Sequence, residues 1–291
     1  MEQLWNHTFQ NELRISPPDH SILLTETLSN PKANKDKMTQ IMFETYGFSA
    51  TYIANQSLLS LFASGRNTGT VIEVGGGVGL CVAFQEGNVL SQSATHLDYS
   101  GSDLTSYMTK LLAERSYAFV TGAEREIVRD IKEKLCTVAL DYEVALHTAA
   151  HSPEKSYKLP DGQEIFVREE VLKCPEALFR PQWLEKKSKG IHESAYEAVM
   201  KCEVGIRKDL LGNVVVSGGS TMFTGMGERI HKELERLAPS TFKIKVITPP
   251  EKYTCWLGGS ILASLGAFQC KWITKQEYDE AGPDIHHPRR F

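Results

Sequence analysis

The chain has 291 residues, 41% of them hydrophobic and 23% charged, with a net charge of −4 from 32 basic and 36 acidic side chains. That balance exerts no global pull on nucleic acid or anionic membrane, so neither is expected as a partner, and the length suits one large soluble domain or two modest ones. No apolar run approaches membrane-spanning length, and the opening Met1-Glu2-Gln3-Leu4-Trp5 has no signal-peptide character.

In chain order, Asn34 to Phe43 has the pattern of a helix, with Asn34 as its cap and Gly47 near its end, and Ser57 to Phe62 is a second apolar helix stopped around Gly65. A β-branched run, Thr70 to Val74, empties into Gly75-Gly76-Gly77. The segments Leu80–Gln85 and Val89–Gln92 then form a hairpin across Glu86-Gly87-Asn88. Asp103 to Leu112 is amphipathic. Thr121-Gly122-Ala123-Glu124 is a capping box opening a charged helix to Leu135, on which Arg129 and Glu133 are spaced to pair. Tyr157 to Ile165 reads as strand, Pro-Asp-Gly turn and strand. Helices are expected at Ser194–Lys201, Gly227–Leu237 and Trp256–Phe268, and a strand at Lys243–Ile247, closed by Pro249-Pro250. Strands alternating with helices make this an α/β protein. The six cysteines are widely spaced with no C-x-x-C pair, which fits reduced, buried thiols in a cytosolic protein better than disulfides or a zinc site.

A second β-branched run, Asn213 to Val216, also ends in glycines, Ser217-Gly218-Gly219-Ser220. Only glycine lets a chain turn with positive φ and no Cβ, so a strand ending this way brings bare backbone close to something. Consecutive N–H groups there form an anion-binding nest, for which phosphate is the natural ligand. Either cluster by itself reads as a tight turn; the pair favours a nucleotide held between two lobes.

The segments Asn30-Pro31-Lys32-Ala33-Asn34, Met38 to Thr45, Ala123 to Cys136, Leu237 to Thr241 and Trp272 to Pro283 are nearly verbatim actin segments, and the chain resembles that family from end to end. The resemblance implies the two-lobed α/β fold shared with hexokinases and Hsp70 chaperones, in which ATP or ADP with a divalent Mg or Ca ion sits in a central cleft. It also implies a first lobe that is incomplete, without the opening phosphate-binding hairpin and the small outer subdomain. On this basis 1–63 with 254–291 are the remnant of the first lobe, 64–99 with 187–253 the core of the second, and 100–186 its outer subdomain. The shortened first lobe is expected to expose apolar surface around Ile41–Phe43 and Leu58–Phe62.

Residue by residue, Glu73, Gly75, Gly76, Gly77 and Val78 match the family's second phosphate loop, D-[ST]-G-D-G-V. Glu73 keeps a carboxylate one methylene longer, and Gly76 replaces an aspartate. Gln56 matches the glutamine that orients the attacking water, although from the residues alone it reads as a cap or surface group. Leu80 replaces the histidine that assists that water. Arg129, Lys132 and Glu133 match adenine and ribose contacts, and would otherwise read as a solvated helix face. Gly219, Met222 and Phe223 match the adenine pocket, Lys252 the lysine closing it, and Gly101 a backbone approach point beside Ser102, where the family has arginine. Segment 179–191 replaces the family's apolar plug loop with a lysine-rich one, and the tail ends Pro288-Arg289-Arg290-Phe291 without the penultimate cysteine.

The resemblance therefore implies a cytoplasmic, cytoskeletal actin-like protein that binds adenine nucleotide weakly, hydrolyses little ATP, has no intrinsic metal site, and joins or modifies actin filaments. The alternatives are a catalytically silent scaffold for actin-binding proteins, or an incomplete product of a divergent actin gene.

Overall fold

The computed structural model describes residues 1–283 and 285. The Pro288–Phe291 tail lies outside the described residues. The chain divides into two compact units, Met1–Ala63 with Cys255–Phe291, and Ser64–Thr254.

The first unit opens with α1 (Glu2–His7), β1 (Ser21–Glu26), α2 (Lys32–Gln40), β2 (Ala50–Asn55) and α3 (Gln56–Ala63). The helix expected from Asn34 begins earlier, because Pro31 presets its entry and serves as N-cap. A wider helical turn, Ile41–Tyr46, continues it and ends at Gly47, whose φ of +74° is the left-handed geometry glycine supplies. Asn55 starts α3 by accepting the amide of Leu58.

The second unit follows with β3 (Gly69–Val74), β4 (Gly79–Gln85), β5 (Asn88–Val89), β6 (Thr95–Leu97), α4 (Gly101–Glu114), α5 (Gly122–Leu135) and α6 (Tyr142–Ala150). It continues through β7 (Lys155–Lys158), β8 (Glu164–Val167), α7 (Glu170–Glu176), α8 (Ile191–Met200), α9 (Arg207–Leu211), β9 (Val214–Ser217), α10 (Met226–Leu237) and β10 (Val246–Ile247). The chain returns to the first unit along α11 (Thr254–Ser264), β11 (Ile273–Thr274) and α12 (Lys275–Ala281). None of the described helices is long and apolar enough to cross a membrane.

The second unit is built on a sheet ordered β10-β9-β3-β4-β5, with β6 also on β4. Its central strands β3 and β9 are parallel, while β3–β4 and β4–β5 are antiparallel. Val71, Ile72, Val82, Val214 and Val215 are fully buried, as expected where helices cover both faces of a sheet and the strands read as continuous β-branched runs. The hairpin between β4 and β5 turns on Glu86-Gly87, both at positive φ, the geometry that matches strand twist. The second arm is shorter than expected, since Gln92 lies in a 3-10 turn. The expected strand at Lys243–Ile247 pairs only over Val246–Ile247. The capping box of α5 is present, with Glu124 accepting the amides of Val120 and Thr121 at 2.7 Å each, and these bonds hold its carboxyl below the usual carboxylate range. Arg129 pairs with Glu126 rather than Glu133, because the turn below already offers a carboxylate.

In the first unit β2 is flanked by parallel β1 and antiparallel β11. The apolar exposure expected at Ile41–Phe43 and Leu58–Phe62 is not found there. Ile41, Met42, Phe43, Leu59 and Leu61 are buried, and Leu58 and Phe62 are half-buried. The amino-terminal segment provides the cover: Phe9 packs edge-on against Tyr46 and Phe48 at ring separations of 5.0 and 5.1 Å, and shares a core cluster with Ile41 and Met42. Phe43 stacks on Tyr278 of α12 at 4.6 Å. Exposed apolar side chains in this unit include Trp256, Leu257 and Ile261 on α11, and Met1, Leu4, Leu13 and Leu265 outside it.

The described cysteines carry no disulfide. Four are buried, Cys255 is half-buried and Cys270 exposed. Burial pushes the Cys81 thiol up to about 12, which keeps it protonated and inert.

Candidate functional site

Both glycine clusters belong to the second unit and lie side by side. The parallel register sets Glu73 of β3 opposite Ser217 of β9, so the two strands reach their glycine turns at the same end of the sheet. Contact there is between backbones. Gly218 adopts φ +92°, and a Cβ on it would fall 2.4 Å from the Val74 carbonyl oxygen. The start of α4 enters the same junction. Gly101 N–H donates to the Gly75 carbonyl at 2.9 Å, Ser102 N–H donates to Gly76 at 2.8 Å, and the Ser220 hydroxyl donates to Gly75 at 3.0 Å. A Cβ on Gly101 would fall 2.2 Å from that hydroxyl oxygen. Glycine is required at these two positions because three segments meet with no room for a side chain.

Beyond the junction the turn opens outward. Gly75 N–H closes it on the Val78 carbonyl at 2.8 Å, and Gly76 and Gly77 are exposed with open space where a Cβ would stand. Among the described residues the amides of Gly76 and Gly77 have no bonded partner. Val78 is also exposed. Two uncommitted N–H groups on a glycine turn are donors of the kind that hold an anion. Glu73 sits half-buried in β3, behind this turn.

A recess of about 330 Å³ adjoins the second cluster, and Glu133, Gly219, Met222, Phe223 and Lys252 all line it. These residues come from α5, the turn after β9 and the segment before α11, and only folding brings them together. Phe223 is buried at its floor, Met222 is partly exposed, and Glu133 stands exposed at the rim. Sequence reasoning missed Pro250, Glu251 and Tyr253, which complete the wall. The signal was an aromatic beside Lys252: the Tyr253 ring is exposed, and the Lys252 ammonium lies 5.5 Å from its centroid. A larger cavity of about 590 Å³ shares Met222 and Phe223 but runs toward Leu140, Met226 and Val246, and none of the other expected residues reach it. The smaller recess is the better candidate because chemistry, not volume, converges there.

The remaining expected residues stand apart. Lys132 is only 4% exposed, and its ammonium donates to the Gly101 carbonyl and the Thr105 hydroxyl at 3.0 Å each. Burial pulls that ammonium below the ordinary lysine range. Lys132 is thus committed to holding the first turn of α4 at the glycine junction, a link through Thr105 that no local pattern signals. Arg129 points to solvent with Glu126. Gln56 belongs to the other unit, where its side-chain amide donates to the Thr25 hydroxyl at 3.3 Å. Leu80 is buried in β4, opposite His96 of β6.

The lysine-rich segment 179–191 folds onto its own unit. Trp183 packs against Tyr142 at 5.4 Å, and Arg180 lies over both rings. Lys186 pairs with Asp103 at 3.2 Å, Lys189 with Glu197 at 2.8 Å, and Glu185 with Lys110 at 3.0 Å. Two of the three lysines in this segment, Lys186 and Lys189, are therefore paired with acids of the same unit.

The chemistry of this donor set fits part of a nucleotide. The recess presents apolar and aromatic surface with a lysine and a carboxylate at its edge, and the glycine turn presents backbone donors. Among the described residues no three His, Cys, Asp or Glu side chains converge to hold a metal. A family model described as Actin matches residues 1–291.

Proposed function

Because the chain belongs to the actin family, we propose that it is an actin-like protein whose second unit receives the adenosine part of ATP or ADP. Its hold on phosphate and on a divalent Mg or Ca ion is weaker than in family members whose loop carries an aspartate where this chain has Gly76. The observation that carries this reading is the convergence of Glu133, Gly219, Met222, Phe223 and Lys252 on one recess. Phe223, Met222 and Tyr253 offer faces to a purine, Glu133 an acceptor for ribose hydroxyls, and Gly76 and Gly77 amides for a phosphate. A bound divalent ion would supply the charge neutralisation that phosphoryl transfer requires. Gly76 and Leu80 stand where the family's loop carries an acid and a histidine, so hydrolysis is the weakest part of the inheritance.

Calorimetric titration with ADP and with ATP, each with and without Mg, tests the reading. Weak binding that depends little on the metal is expected, at least tenfold weaker still in Lys252→Ala, whose side chain is exposed and carries no fold. Unchanged binding in that variant would remove the recess from consideration. A strong metal requirement would overturn the weakened metal side.

The same reading makes this chain a partner of actin filaments rather than their building block. The self-docked 179–191 segment supports this, since its Trp183, Lys186 and Lys189 are already engaged within the unit. In co-sedimentation the protein is expected to stay in the supernatant alone and to slow elongation when mixed with actin at low ratio. Helical filaments formed by the pure protein would contradict it.

A further inference from the structure

We propose that the end of α6 carries a binding site for one borderline transition-metal dication, chelated by His147 and His151. The two histidines are four residues apart, one in the last turn of the nine-residue helix and the other at its C-cap, so both project from one face. Both are exposed. Their ring centroids are 5.2 Å apart, with planes inclined by 40°. Two imidazoles on one tetrahedral ion, with metal–nitrogen bonds of about 2.0–2.1 Å, place their ring centres about 5 Å apart, so the pair already has the separation a shared ion needs.

The tautomer is set as well. His151 Nδ1 lies 3.0 Å from the backbone carbonyl of His147, and a carbonyl only accepts, so Nδ1 carries the proton. The Nε2 lone pair of His151 is left outward as a ligand. A carbonyl holding the second ring nitrogen is the usual way a metal-binding histidine is oriented. Among the described residues the His147 ring nitrogens make no hydrogen bond, and its ring contact is with His151. The neighbouring hydroxyls do not compete, because Thr148 donates to the Val144 carbonyl and Ser152 to the Thr148 carbonyl. The site also lies at the negative end of the helix dipole, where a cation is favoured.

Glu143, one turn earlier, is held by Arg180 at 3.0 Å, and among the described residues no third side chain joins the pair. The ion is thus held by two protein nitrogens, with water in its open positions. Nitrogen donors and exposed geometry select Cu²⁺ first, then Zn²⁺ and Ni²⁺, over Mg²⁺ or Ca²⁺. This site is separate from the glycine junction and from the recess that Phe223 floors.

The test is titration of the full chain with Cu²⁺ and with Zn²⁺ in a non-chelating buffer, comparing the parent with His147→Ala, His151→Ala and the doubly substituted His286→Ala/His287→Ala. One ion per chain is expected to bind the parent and the tail variant alike, and at least tenfold more weakly to each α6 variant. Electron paramagnetic resonance of the Cu²⁺ form is expected to show coupling to two nitrogens. Unchanged melting of the α6 variants without metal confirms that the loss is of ligands rather than of fold. Titrations that match the parent in either α6 variant, or that fail only in the tail variant, would overturn the proposal.

Discussion

Replacing Glu176 by alanine is expected to destabilise the second unit by about 3–5 kcal/mol, the largest stability effect of any single carboxylate in it. Glu176 is 1% exposed and takes two bonds from the Arg229 guanidinium, at 2.8 and 3.0 Å, and another contact from Arg180 at 3.2 Å. Arg229 in turn donates to Glu233 at 2.8 Å and to the Ala139 carbonyl at 2.8 Å, and lies 4.6 Å from the centre of the Phe179 ring. The network ties α7, α10 and the segment leading into α6 through one cation. Truncating Glu176 removes the bidentate partner of a buried guanidinium and leaves it only Glu233 and the Ala139 carbonyl, so the penalty is that of a buried charge left partly unpaired rather than of one lost bond. The loss is a large fraction of the 5–15 kcal/mol that holds an ordinary domain together. Urea unfolding measures it as a fall in midpoint at unchanged slope. The double variant Glu176→Leu with Arg229→Met is expected to recover much of the deficit, because a buried pair removed whole costs far less than one partner left behind. A single-variant loss below about 1 kcal/mol would show that water or relaxation reaches the guanidinium.

Gly218→Ala is expected to break the glycine junction. At φ +92° and ψ 149° the position lies in a region that only glycine enters comfortably, at a cost of about 1–3 kcal/mol for another residue. Its new methyl would also stand 2.4 Å from the Val74 carbonyl, so β3 and the turn after β9 would have to part. The neighbouring Gly219→Ala is the control: its φ is ordinary, and nothing lies within 4 Å of the added Cβ. Thermal melting is therefore expected to fall sharply for the first variant and hardly at all for the second. Nucleotide titration then separates fold from site, since Gly219 lines the recess and its methyl would meet a ligand there. Equal melting of the two variants would mean that the junction opens without cost.

The glycine turns, the capping box at Thr121 and the Pro-Asp-Gly hairpin were legible because each is a bargain among residues three or four apart. So was the family, through long runs of identity rather than through any motif. The recess was legible only by carrying family positions across one at a time, and that route placed Glu133, Met222, Phe223 and Lys252 on one wall. It missed Glu251, which no pattern marked, and Tyr253, whose one signal was an aromatic ring beside Lys252. It assigned Lys132 to the ligand, whereas its ammonium is spent inside the protein on Gly101 and Thr105.

Local chemistry thus determined where strands stop, where helices begin, and which segments bare their backbone, because those choices depend on dihedral preference and near neighbours. Tertiary structure decided the rest. Phe9 covers Ile41 and Met42 from more than thirty residues away, Glu176 meets Arg229 across 53 positions, and Val74 sets the space that Gly218 leaves empty. Burial, ion pairing and close backbone approach depend on distance in space, and the order of residues along a chain does not encode that distance until the chain has folded.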